Sequence, residues 1–157
     1  MSENLSTAKK ATRERVRRRM AIQHAVEQFT NEIIRRMREL VDETDVVKSR
    51  MEKHQIVNLL SVALETPSVE LVKNFIRYQI GRDVSRTSWR KNDFGEKLVQ
   101  ALDELRDDAE VMVRDRSIAR HLGDEVQDQD IDELWIEMTR QYLGQLNRYF
   151  YYKKEAA

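Results

Sequence analysis

The sequence predicts an all-α protein, a single bundle of about five helices. The chain of 157 residues contains only four Gly and one Pro, which is too few for the turns of a β-sheet protein. Apolar residues also recur at alternating steps of three and four over long stretches, which places them on one face of a helix. A chain of this length fits one domain with a core of its own.

The bulk composition excludes several classes of protein. Lys plus Arg and Asp plus Glu number 28 each, so any nucleic-acid contact must come from a local patch. The chain has no Cys, which excludes disulfides and thiolate metal sites. No apolar run approaches the roughly 18 residues that span a bilayer, and the N-terminus has no secretory apolar segment. We therefore expect a cytoplasmic protein with no membrane partner.

Residues 1–20 are predicted to form a basic N-terminal extension of a helical-bundle domain at 21–157. Its acids are Glu3 and Glu14, and its basic residues are Lys9, Lys10, Arg13, Arg15, Arg17, Arg18 and Arg19. Charge blocks of this kind are typical of a solvated tail or the frayed start of a helix. The alternative is an arm that binds phosphate or a partner protein.

Two helices are predicted between residues 21 and 66. The stripe of the first helix is Ile22, Val26, Phe29, Ile33, Met37 and Leu40. Thr44 and Asp45 offer a cap before the second helix. The apolar residues of the second helix are Ile56, Val57, Leu59, Leu60, Ala63 and Leu64, which cover about 160° of its surface. This helix is expected to stop at Thr66, because a residue before proline disfavours the helical conformation.

The third helix is predicted to begin after a Ser68 cap and to end near Ile80, with Gly81 as its C-terminal cap. Its apolar residues are Val69, Leu71, Val72, Phe75, Ile76, Tyr78 and Ile80. Only a stripe about 100° wide stays polar, and its residues are Glu70, Lys73, Asn74 and Arg77. The pattern predicts a central helix with one narrow open face.

Residues 82–92 are predicted to form a loop before two further helices. Asp93 with Glu96, and Asp130 with Glu133, have the spacing of a capping box. The fourth helix carries Leu98, Leu102, Leu105, Ala109 and Met112. After a polar connector at 121–129, the fifth carries Ile131, Leu134, Trp135, Met138, Tyr142, Leu146 and Tyr149.

No pattern for catalysis stands out, so we expect no enzyme activity, no cofactor and no metal site. The chain lacks a phosphate-binding Gly-rich loop and an H-E-x-x-H motif. His24, His54 and His121 have no ligand spacing. The acids between Asp103 and Glu110 are interspersed with Arg106, which is typical of a solvated helix face. A small metal-dependent nuclease using Asp107 or Asp108 is the enzyme alternative.

Charge is segregated along the neutral chain. Residues 69–91 contain six basic and two acidic residues, whereas 101–133 contain twelve acids and four basic residues. The basic strip predicts contacts with a phosphate backbone, with Trp89 stacking on a base. The alternative is that Trp89 plugs the end of the bundle and the arginines pair with the acidic helix.

The aromatic run at 149–152 must point partly outward, because four consecutive side chains surround a helix. Exposed aromatic clusters mark protein interfaces more often than nucleotide platforms, and we expect an interface here.

Three short segments stand out in sequence: Q-I-V-N-L-L-S at 55–61, preceded by K-H, then I-R-Y-Q-I-G-R at 76–82, and R-Y-F-Y-Y-K at 148–153. Together they resemble the small helical-bundle subunit (Csm type) of type III CRISPR effector complexes. Their order along the chain is similar to that of the family, whereas residues 1–20 and the acidic 101–133 region depart from its pattern.

The resemblance implies a non-catalytic subunit of an RNA-guided complex. Several copies would stack along the guide–target RNA duplex and contact other effector subunits. On the matched segments, Lys53, Arg77 and Arg82 become candidates for phosphate contact. Charge alone adds Arg86, Arg90 and Lys91. The alternative is a helical module for protein interaction or dimerisation that binds no nucleic acid.

Overall fold

The computed structural model describes residues 2–115 and 128–157, which form five α-helices and no strand. The helices are α1 (Ser2–Thr44), α2 (Lys53–Glu65), α3 (Val69–Arg82), α4 (Phe94–Arg114) and α5 (Asp128–Ala156). Short 3₁₀ turns occupy Val46–Lys48 and Lys91–Asp93. The predicted all-α bundle is confirmed. None of the described helices combines the length and the hydropathy needed to cross a membrane.

The last helix, α5, is the centre of the bundle. It packs against all four other helices, and its inward side chains include Leu134, Met138, Tyr142, Leu146 and Phe150. The helix predicted to be central, α3, instead lies towards the outside: Leu71 and Tyr78 are 57% and 61% exposed. The prediction of a central position was wrong, because α3 turns its Lys73 side towards the core and leaves its Leu71 side exposed.

The buried polar residue of α3 is Lys73, which was predicted to lie on the open face. Its ammonium pairs with Asp103 at 2.6 Å and lies 5.7 Å from the centre of the Trp135 ring. A lysine can bury its aliphatic stem in this way while its charge reaches a carboxylate at the surface. The burial of Lys73 turns the Leu71 side of α3 towards solvent.

The two ends of the bundle differ in composition. At one end, the backbone N–H of Arg50 donates to the Thr87 carbonyl at 2.8 Å, and the Asn92 amide donates to the Thr44 carbonyl at 2.8 Å. We call this the basic end, defined by residues 45–53 and 82–93, which carry seven basic and four acidic residues. The opposite, or turn, end holds the 66–68 turn and the start of α5, where Arg18 pairs with Asp130 at 2.7 Å.

The first helix is continuous across residue 20. Its predicted stripe is confirmed, with Ile22, Ile33, Met37 and Leu40 buried and Val26 and Phe29 packed against the core. Residues 2–17 are all exposed. At 1.5 Å per residue, these 16 residues extend about 24 Å past the contact between Arg18 and Asp130. We call this segment the arm.

The helix ends confirm some predicted caps and correct others. As predicted, α2 stops before Pro67, and the Ser68 hydroxyl accepts a hydrogen bond from the Leu71 N–H at 3.3 Å. Gly81 was wrongly predicted as a cap, because α3 continues through Gly81 to Arg82 and Asp83 is its C-cap.

The two predicted capping boxes are also wrong, and a third exists. The Asp93 side chain makes no cap hydrogen bond, and Asp130 lies inside α5, where it is buried against Arg18. The capping box that does form precedes α2: the Glu52 N–H donates to the Gln55 side chain at 2.9 Å. It was missed because Glu is a rare residue at an N-cap.

Candidate nucleic-acid interface

The loop between α3 and α4 is organised by Asp83. Its carboxylate accepts hydrogen bonds from the backbone N–H groups of Arg90 at 2.8 Å, Ser88 at 3.0 Å and Thr87 at 3.2 Å. Burial alone would raise the pKa of Asp83, but the bonds from Arg90, Ser88 and Thr87 outweigh it and hold that pKa below its usual value. A single charged residue therefore fixes the path of the loop.

Trp89 is not available to stack on a base. It is 2% exposed and packs against Phe94, with ring centroids 6.0 Å apart. The base-stacking prediction was wrong, and the alternative, that Trp89 plugs the end of the bundle, is confirmed. Trp89 lies among the residues whose backbone bonds to Asp83, and this fixed loop holds its ring against Phe94 in the core.

Two of the six candidate cations, Arg90 and Lys53, are bonded to other parts of the bundle. The Arg90 guanidinium donates to the Ile80 carbonyl at 2.8 Å, which ties the loop to the last turn of α3. Lys53 pairs with Glu155 and lies 4.1 Å from the centre of the Tyr151 ring. Both side chains are half-buried, so their charges are less accessible to a phosphate.

The other four candidates, Arg77, Arg82, Arg86 and Lys91, are exposed. Among the described residues none of them has an acidic partner within ion-pair distance. The Arg77 guanidinium reaches only the Asn74 side chain, at 3.3 Å, and that of Arg82 lies 5.5 Å from the centre of the exposed Tyr78 ring. The prediction that these arginines pair with the acidic helix is therefore wrong for Arg77, Arg82 and Arg86.

Sequence reasoning missed two residues of this surface. Tyr78 was assigned to the core, yet it is exposed between Arg77 and Arg82. Arg50 is exposed next to the loop, since its backbone bonds to Thr87. The i, i+4 spacing of Tyr78 and Arg82 was a usable signal, whereas the proximity of Arg50 arises only from tertiary packing.

Backbone strain is concentrated at the same end. Within the described residues, four that are not glycine have a positive φ: Asp45, Arg86, Asn92 and Asp93. Asp and Asn tolerate this left-handed conformation, whereas an arginine at φ 56° is held there at a cost of about 1 kcal/mol. The turn is closed by a hydrogen bond from the Arg86 N–H to the Asp83 carbonyl at 3.1 Å. Strained residues of this kind concentrate at functional sites.

Acidic residues also lie at the basic end and limit its field. Asp45, Glu52 and Asp93 are exposed there, and the Glu52 carboxylate lies 3.2 Å from His54 Nδ1. The surface is thus a local patch with a modest excess of positive charge, suited to a few phosphate contacts.

Acidic residues of the helix α4 pair with different basic residues. Asp103 pairs with Lys73, Asp108 with Arg36 at 2.5 Å, and Glu110 with Arg114 at 3.2 Å. Within the described ranges no three acidic or histidine side chains converge as metal ligands. His121 and most of the predicted 121–129 connector lie outside those ranges.

The aromatic run divides between core and surface, as expected. Phe150 is buried, while Tyr151 and Tyr152 are exposed. The Tyr149 hydroxyl donates to Asp42 at 3.0 Å, and burial, followed by the bond to Asp42, raises the pKa of Tyr149. Whether the exposed tyrosines meet a protein stays a prediction.

Comparison of the chain with protein-family models, with curated proteins and with solved structures gives no match. We therefore infer function from the fold and from the exposed cations near the basic end.

Proposed function

We propose that this chain is a non-catalytic RNA-binding subunit whose basic end, together with the adjoining last turns of α3, contacts a phosphate backbone. The observation that supports it most is that four cations on this surface are exposed and have no acidic partner within ion-pair distance among the described residues, while Tyr78 is exposed next to Arg82. The four cations are Arg77, Arg82, Arg86 and Lys91. Guanidinium and ammonium groups neutralise phosphates, and an exposed tyrosine provides a face on which a base stacks.

Such a surface favours contact with the backbone over recognition of sequence. Four cations that each neutralise one phosphate give a slope of about −3 in a plot of log affinity against log salt for single-stranded RNA. The neutral chain adds little long-range attraction. Binding by the isolated protein is thus expected to be weak and lost at high salt, and tight retention of RNA requires partner subunits.

The more specific proposal follows from the resemblance to the small subunit of type III CRISPR effector complexes. In this proposal the protein is cytoplasmic, stacks in several copies along the guide–target duplex and contacts other effector subunits. An all-α bundle with the matched segments in the family's order supports it. Of the three cations that the resemblance offers, Arg77 and Arg82 fit phosphate contact better than Lys53, whose charge is shared with Glu155.

The test is RNA retention by variants of the tagged chain, isolated from its host under gentle conditions. Arg77→Ala combined with Arg82→Ala should reduce the RNA recovered while partner proteins are still recovered. The salt slope of RNA binding should become less steep by about 1.4 for the two lost contacts. The matched control is Arg106→Ala with Arg114→Ala, which removes two arginines that lie beside Glu110 on α4.

A second candidate function is a protein-interaction module without RNA. It is favoured by the exposed apolar residues Leu64, Leu71, Tyr151 and Tyr152, since patches of this kind mark protein interfaces. If RNA recovery is the same for wild type and for the Arg77 and Arg82 variant, the interaction module replaces the RNA-binding proposal.

A further inference from the structure

The arm and the turn of α1 that follows it carry an apolar stripe that does not belong to the core. Leu5, Val16 and Met20 are exposed, the last two at 52% and 64%. At 100° per residue, this stripe points about 130° away from the core stripe of α1 that starts at Ile22. It is therefore not a continuation of the buried face of α1, and it is open to contact with another surface.

Cations flank the stripe. Arg13 and Arg17 lie one turn apart beside Val16 and Met20 on the helix surface, and both arginines are exposed with no acidic partner in ion-pair distance among the described residues. The base of the arm thus presents two apolar side chains and two guanidinium groups on one face. An antiparallel pair of arms would bring these arginines together, so a surface that carries carboxylates is the better complement.

A surface of matching chemistry flanks the turn between α2 and α3. Leu64 is 60% exposed, and Leu71 is exposed to a similar extent on the other side of the turn. Glu65 and Glu70 are exposed next to them, and Glu70 has only a 3.3 Å contact with Lys73. We call these four exposed residues on the two sides of the turn, Leu64, Glu65, Glu70 and Leu71, the turn face; they offer two apolar side chains and two carboxylates.

The arm does not cover the turn face of its own chain with this stripe. A groove separates the arm from Pro67 and the start of α5, and it is lined on the arm side by Ala11, Glu14 and Arg15. Val16 and Met20 point away from that groove along the opposite side of α1. Stripe and turn face can therefore meet only between two molecules.

We propose that the arm of one copy docks on the turn face of a second copy, with Val16 and Met20 against Leu64 and Leu71, and Arg13 and Arg17 against Glu65 and Glu70. Each arm emerges beside the turn of its own chain, so two copies related by a two-fold axis can exchange arms at the same time. Reciprocal exchange closes the contact as a dimer. An amphipathic helix laid on an apolar surface is a common mode of protein recognition.

Complementation between two variants tests this contact, with mass measured by light scattering on full-length protein. Wild type should have twice the 18.7 kDa mass of the chain. Val16→Glu with Met20→Glu, which spoils the arm, and Leu64→Glu with Leu71→Glu, which spoils the turn face, should each be monomeric. An equimolar mixture of the two should regain a dimer, because one intact arm then meets one intact turn face.

The matched control is Arg15→Glu, which reverses a charge on the opposite side of the arm, where Arg15 lines the groove, and should leave the dimer intact. Circular dichroism melting shows that each variant is folded. A monomeric wild type, or a mixture that stays monomeric, overturns the proposal. So does an arm variant that keeps its dimer mass but loses RNA, since RNA would then be what the arm binds. The dimer test does not depend on the basic end, so the two proposals fail separately.

Discussion

At the scale of single residues, Asp83 sets the shape of the basic end. Its carboxylate holds the backbone of Thr87, Ser88 and Arg90, and this loop carries Arg86 and Lys91 outward. The sequence showed a polar loop with several cations, but it did not show which polar residue would organise it.

Replacing Asp83 with Asn should lower the free energy of unfolding at neutral pH by about 1–3 kcal/mol, because three N–H groups then share a neutral acceptor. Urea unfolding measures the change. Asp93→Asn is the matched control, since the Asp93 side chain makes no cap hydrogen bond, and a change within about 0.5 kcal/mol is expected there.

Comparison of wild type with Asp83→Asn also predicts how the free energy of unfolding depends on pH. The pKa of Asp83 is lowered in the folded state, whereas in the unfolded chain an aspartate titrates near its usual value of about 3.9. The stabilisation by Asp83 is complete above that value and is lost as pH falls through the folded-state pKa. The stability gap between wild type and Asp83→Asn should shrink below about pH 4. A gap that widens on acidification would contradict this account.

Arg86 allows charge to be removed without loss of stability. Arg86→Gly should leave the free energy of unfolding unchanged or raise it by up to about 1 kcal/mol, because glycine adopts a positive φ without strain. The control is Arg77→Gly, which removes the same charge inside α3 and should cost about 0.5–1 kcal/mol. If Arg86→Gly unfolds as readily as Arg77→Gly, the backbone at Arg86 is not strained.

At Gly95, helix propensity and packing have opposite effects on the stability of an alanine variant. Alanine is normally favoured over glycine in a helix, but a Cβ at this position would overlap Ile80 Cγ1 and lie 2.7 Å from Ile80 Cδ1 and 3.0 Å from the Trp89 carbonyl oxygen. We expect Gly95→Ala to destabilise the protein by about 1–3 kcal/mol, measured by thermal or urea unfolding. A stabilised variant would show that Ile80 on α3 and the Trp89 carbonyl can move away from α4 at no cost.

At the scale of elements, periodicity predicted the buried stripes of α1, α4 and α5 well. It failed for α3, whose apolar residues cover most of its surface. Periodicity shows which residues are apolar, but which neighbour covers them depends on tertiary packing. Lys73 was bound to be misassigned, because its burial relies on Asp103 and Trp135, which lie on two other helices.

The arm should be dispensable for the bundle. Residues 2–17 are exposed, so a chain that begins at Arg18 keeps the pair with Asp130 and all of the described core. Its melting temperature as a monomer should lie within about 4 °C of that of the folded monomeric arm variant, a change of under about 1 kcal/mol. A collapse of the bundle on truncation would mean that the arm contributes to the core.

At the scale of the whole molecule, equal numbers of acids and bases conceal an uneven distribution. Residues 69–91 already showed the basic excess in sequence, and folding brings 45–53 beside 82–93 through the bond between Arg50 and Thr87. The sequence could not show this proximity, nor that Trp89 would be buried and Tyr78 exposed, since both depend on how α3 docks on α4 and α5.

That this bundle is an RNA-binding subunit is tested most directly by isolating the tagged chain from its host under gentle conditions. The mass of the particle is measured and any RNA recovered with it is sequenced. We expect a particle much larger than the chain that carries short RNAs of uniform length with a common repeat-derived end. A small oligomer without RNA would contradict it and would leave the protein-interaction module as the function of this fold.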